Sequence, residues 1–88
     1  MKVIICTEFT TINGENKSWI EFWEQENDQT ARCCSELECC ENRNLVGVHV
    51  QIVNSNKQIY VVPLCHNHFN LTTEIELFHS VKLIPIKN

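Results

Sequence analysis

The chemistry of this chain is concentrated in cysteine and histidine. Six cysteines and four histidines stand among 88 residues, and most fall into two short clusters. The first is Cys33-Cys34-Ser35-Glu36-Leu37-Glu38-Cys39-Cys40, and the second is Cys65-His66-Asn67-His68. Zinc takes thiolate sulfur and imidazole nitrogen in a tetrahedron, and a pair two to four residues apart can hold one ion from a tight turn. Cys34 and Cys39, with four residues between them, make one such pair, and Cys65 and His68, with two, make the other. Cys40 is the alternate to Cys39, since five residues separate it from Cys34. Neighbouring cysteines do not easily aim at one ion, so the spare thiols read as bystanders. His66 and His79 read as surface residues, and Cys6 as a small buried hydrophobe.

His49 stands apart from both clusters. It lies mid-strand, flanked by Val48 and Val50, whose side chains should point to the opposite face. Three roles fit it: a buried histidine hydrogen-bonded near the metal site, a zinc ligand replacing one cysteine, or a general base.

A hairpin is needed to carry the two clusters to one place. Residues 46–53 read as a strand, Asn54-Ser55-Asn56-Lys57 as its turn, and residues 58–64 as the returning strand. Pro63 donates no ladder hydrogen bond and belongs near that strand's end. The second cluster follows at once, and residues 66–72 suit a short helical turn. Upstream, residues 2–10 read as a strand, with Asn13-Gly14 in the turn behind it. Ser18 and Glu21 then form a capping box that opens a helix. Trp19, Phe22 and Trp23 share one face of it, a stripe read as core packing, and Asn27-Asp28-Gln29 ends it. Residues 73–78 suit either helix or strand, and residues 81–86 read as a last strand beside the first.

The totals constrain what these parts can build. A chain of this length makes one domain, 1–88, whose small core gains much from a metal or a cross-link. The opening residues lack the long apolar run and cleavage site of a secretory signal, and no stretch is long enough to span a bilayer. Cytoplasmic placement follows as the expectation, and there clustered thiols stay reduced and bind metal. A secreted, disulfide-bonded protein is the alternative reading of the cysteines. Charge is uneven. Residues 15–41 carry eight acids against Lys17 and Arg32, while residues 42–88 carry four basic residues against Glu74 and Glu76. A net charge of −4 with scattered cations argues against a phosphate-binding face.

The order of parts, a cysteine knuckle, a hairpin and two ligands opening a short helix, resembles the treble-clef zinc finger over about residues 33–72. Within that group the chain is similar to the HNH endonuclease module. The resemblance implies a general-base role for His49 and reads Pro63-Leu64-Cys65-His66-Asn67-His68 as the helix opening. Val48 stands where that family has an acid before its base, and Phe69 where it has a metal-binding histidine. Gly47-Val48-His49-Val50 and Tyr60-Val61-Val62-Pro63-Leu64-Cys65 also resemble segments of small uncharacterised bacterial or phage zinc proteins.

The expected fold is therefore a small α+β domain: a zinc-stabilised, treble-clef-like hairpin and short helix with an added N-terminal strand and amphipathic helix. The expected function is that of a non-catalytic zinc-binding protein, an interaction module or inhibitor whose partner is a protein rather than nucleic acid or membrane. Its acidic 15–41 segment is the candidate contact surface. The alternative is a minimal HNH-type metal-dependent nuclease using His49.

Overall fold

A computed structural model describes residues 1–6, 19–39, 41–54, 57–69 and 72–86. The expected hairpin is its centre. Strands β2 (Val46–Ile52) and β3 (Tyr60–Leu64) pair antiparallel, with Val48 opposite Val62 and His49 opposite Val61. Their β-branched residues suit a pleated surface covered on both sides. Asn54 leaves β2 with φ 61°, a left-handed turn conformation that asparagine tolerates well. Residues 55–56 of that turn lie outside the described residues, as do Asn13-Gly14 and the Ser18 cap.

Among the described residues three shorter strands complete the sheet: β1 (Lys2–Ile5), β4 (Ile75–Glu76) and β5 (Ile84–Pro85). The strand order is β4-β1-β2-β3-β5, and each of these pairings is antiparallel. The ambiguous 73–78 segment thus supplies a strand, β4, which borders β1. The last strand does not lie beside the first. It pairs with β3, placing Ile84 opposite Val61. Both sides of β1 are already occupied, by β2 and β4, which leaves the free side of the hairpin for β5. The first strand, expected over residues 2–10, covers Lys2–Ile5, and residues 7–10 lie outside the described residues. Cys6 lies beyond β1 and is half-buried, although its N–H still donates to the His49 carbonyl at 2.8 Å.

The helix α1 (Trp19–Asn27) lies across β2, β3 and β5. It buries Trp23 and half-buries Trp19 and Phe22, whose rings meet edge to face at 5.3 Å. The Trp23 indole N–H donates to the Lys82 carbonyl at 2.7 Å, tying the helix to the segment before β5. At its C-terminus the Gln29 N–H reaches the Glu24 carbonyl and the Asp28 N–H the Gln25 carbonyl. Those two bonds, with Asp28 at φ 54°, make a Schellman cap.

The pleat separates two faces. Val3, Val48, Val50, Val62, Leu64 and Ile75 gather on one, packed with Leu77, Cys34 and Cys65. Gly47, His49, Val61 and Pro63 alternate with them and face α1.

Candidate metal centre

The cysteine loop is held between two strands by its backbone. The Ser35 N–H donates to the Pro63 carbonyl at 2.9 Å, on β3. On the other side the Leu37 N–H donates to the Glu76 carbonyl at 2.8 Å, and the Phe78 N–H to the Ser35 carbonyl at 3.2 Å. The Cys34 N–H closes the loop onto the Glu41 carbonyl at 2.9 Å, and the Cys39 N–H turns back to the Glu36 carbonyl at 3.1 Å. The second cluster begins where β3 ends. The His68 and Phe69 N–H groups both donate to the Cys65 carbonyl, at 3.0 and 3.1 Å, so residues 65–69 form one helical turn. Because the loop is bound to Pro63, it lies beside Cys65 without further adjustment.

The result is one cluster of four groups. The sulfurs of Cys34, Cys39 and Cys65 and a ring nitrogen of His68 all lie within 4.8 Å of one another. Cys65 Sγ is 3.1 Å from His68 Nδ1, Cys34 Sγ is 3.7 Å from the same nitrogen, and the Cys39 and Cys65 sulfurs are 3.7 Å apart. A disulfide would need about 2.05 Å, and the five described cysteines are free thiols. Cys34 and Cys65 are fully buried, while Cys39 and His68 are partly exposed.

The two buried thiols are electrically unequal. Burial, the largest influence on each, raises both. At Cys65 it is outweighed by hydrogen bonds from His68, the Asn67 N–H, Cys39 and Cys34, and the thiol comes down from 9.0 to about 7. At Cys34 burial prevails over amide bonds from Glu36 and Cys65, and the adjacent Cys65 reinforces it, so the thiol is pushed up to about 12. Hydrogen bonding thus favours the thiolate at Cys65, while burial favours the thiol at Cys34. In both pairs the amide two residues along donates to the sulfur, Glu36 to Cys34 and Asn67 to Cys65. Such bonds orient a ligand and stabilise its negative charge. They belong to the backbone and leave no mark on the side-chain pattern. Three thiols and an imidazole so arranged could hold a metal ion.

The remaining residues fall elsewhere. His49 is 2% exposed and lies on the α1 face of the sheet, away from the cluster, with its ring edge-to-face to Trp19 at 4.4 Å. Burial holds its imidazole below the usual 6.5. Cys33 is half-buried and lines a cavity on that same face. His66 is exposed against the Phe69 ring, and His79 is exposed. Cys40 lies outside the described residues. Among the described residues no helix is long and apolar enough to cross a membrane. Comparison of the chain with protein-family models, with curated proteins and with solved structures gave no match.

Proposed function

We propose that Cys34, Cys39, Cys65 and His68 bind a structural zinc ion, and that the chain is a non-catalytic, zinc-stabilised interaction module. The observation that carries this reading is the convergence of four ligand atoms from two short loops. Zn–S and Zn–N bonds of about 2.3 and 2.05 Å give a regular tetrahedron edges of roughly 3.8 Å between sulfurs and 3.6 Å from sulfur to nitrogen. The Cys39–Cys65 and Cys34–His68 separations, both 3.7 Å, are close to those edges. Four protein ligands fill the tetrahedron and leave no open position for substrate, which favours a structural role over a catalytic one. The treble-clef likeness has the same support: a hairpin stands between the pairs, and the second pair opens a helical turn.

The nuclease alternative has less behind it. A base must reach its substrate, and His49 is covered by Trp19. For a protein partner, the acidic side of α1 is the contact surface we favour, since Glu21, Glu24 and Asp28 line one open groove.

Native mass spectrometry before and after treatment with a strong chelator tests the metal. One zinc per chain, lost on chelation together with the cooperative melt, is expected. A metal-free protein from zinc-supplemented cells, melting at the same temperature with and without chelator, would refute the reading. The contact surface is tested separately by carrying Glu21→Gln, Glu24→Gln and Asp28→Asn together in an affinity experiment. A partner held equally by this variant and by wild type would place the surface elsewhere.

A further inference from the structure

On the sheet face opposite the metal cluster, a half-open cavity of about 140 Å³ lies between α1, the cysteine loop and the segment before β5. It is near the roughly 150 Å³ of a protein cavity that accepts benzene, so it suits a ligand of about six or seven heavy atoms. Trp23, Pro63, Phe78 and Val81 provide apolar walls. Arg32 and Lys82, both exposed, also line it, and neither forms an ion pair among the described residues. Ser35 lines it as well. This serine is 0% exposed, and its hydroxyl has no hydrogen-bond partner among the described residues. A buried hydroxyl left in that state is destabilising, and a ligand's acceptor would relieve it.

The charges also select among ligands. Two cations and a hydroxyl donor call for an anion with more than one acceptor oxygen. Arg32 also borders the groove of Glu21, Glu24 and Asp28, which disfavours a second negative charge. The apolar walls require a hydrocarbon stem, which inorganic phosphate and sulfate lack. We infer that this cavity binds a monocarboxylate on a short branched apolar stem, its oxygens taking Arg32, Lys82 and the Ser35 hydroxyl and its stem lying against Trp23 and Phe78. A free short-chain acid and the C-terminal residue of a polypeptide share that chemistry. The inference does not rest on metal binding at the cluster, although Ser35 belongs to the loop that carries Cys34.

Isovalerate, isovaleramide, acetyl-Gly-Val with a free carboxylate and the same peptide as its amide are titrated into the isotopically labelled full-length protein. The Trp23 indole N–H resonance gives the readout. Saturable shifts with isovalerate or the peptide acid, and much weaker ones with both amides, are expected. Losing one charge-assisted contact, in Arg32→Gln or Lys82→Gln, should weaken binding about tenfold or more. Ser35→Ala should weaken it too, and the two surface variants keep the test valid if that one fails to fold. Tighter binding of the peptide acid identifies a chain terminus as the ligand, and tighter binding of isovalerate a free acid. Amides that bind as well as acids, unaltered affinity in both surface variants, or no saturable shift with either acid would overturn the proposal.

Discussion

The backbone of α1 rests on that of β2 at Gly47, where a β-carbon would overlap the carbonyl carbon of Trp19 and lie 2.7 Å from its oxygen. Both obstacles are main chain, so neither can swing away. Gly47→Ala would ordinarily help a strand; here it should destabilise by roughly 2–3 kcal/mol, lowering the melting temperature by about 10–20 °C. A thermal melt decides it, and an unchanged or higher midpoint would show that the helix does not pack this closely.

The opposite sign is expected at the far end of the same helix. Asp28 holds a left-handed conformation, φ 54°, inside the Schellman cap. Glycine adopts it without steric cost, so Asp28→Gly should stabilise by about 0.5–1 kcal/mol despite glycine's greater freedom when unfolded. Urea denaturation resolves a change of that size. A loss of stability would mean that the carboxylate contributes more than the backbone strain removes.

Ligand and bystander thiols should separate cleanly. Cys65→Ala and Cys34→Ala open the coordination shell and should lose bound zinc, whereas Cys33→Ala should keep it. Metal content after gel filtration measures this. Equal retention by Cys65→Ala and Cys33→Ala would break the ligand assignment.

Acid should act through His49 as well as through the Cys/His cluster. Burial depresses its folded-state affinity for protons below that of the unfolded chain at 6.5. The unfolded chain therefore takes the proton first. The neutral ring's contribution is complete above pH 6.5 and is lost as pH falls through the lower folded value. One proton limits the slope to about 1.4 kcal/mol per pH unit. Any loss of metal from the cluster affects wild type and His49→Gln alike, so the difference between their urea midpoints between about pH 7 and 5 isolates this effect. Wild type should show the steeper decline; parallel curves would assign the proton uptake to other groups.

The protein should leave DNA intact. Supercoiled and single-stranded substrates incubated with magnesium, manganese or nickel should be unchanged by both wild type and His49→Ala. Nicking by wild type that disappears in the variant would promote the nuclease reading.

Local patterns made the helix, the hairpin and the two Cys/His pairs legible. Trp19, Phe22 and Trp23 recur at helical spacing, and the 46–53 and 58–64 runs are dense in β-branched residues with an asparagine turn between them. Long-range pairing was not legible. The 81–86 segment reads as a strand from its composition, but nothing local directs it to β3 rather than β1. The alternation around His49 shows that its valine neighbours face away from it, but not that α1 covers the ring. The cavity of Ser35 and Arg32 was hidden for a related reason. Its walls come from distant segments of the chain, and no short window of sequence contains them.

The attachment of the cysteine loop to β4 also bears on self-association. The outward carbonyl of Glu76 and the outward N–H of Phe78 are both occupied by the loop, through Leu37 and Ser35. Were the loop released, those groups would form an open strand edge, a template on which a second molecule could add its own strand. Whatever fastens residues 34–39 thus guards this border of the sheet against aggregation.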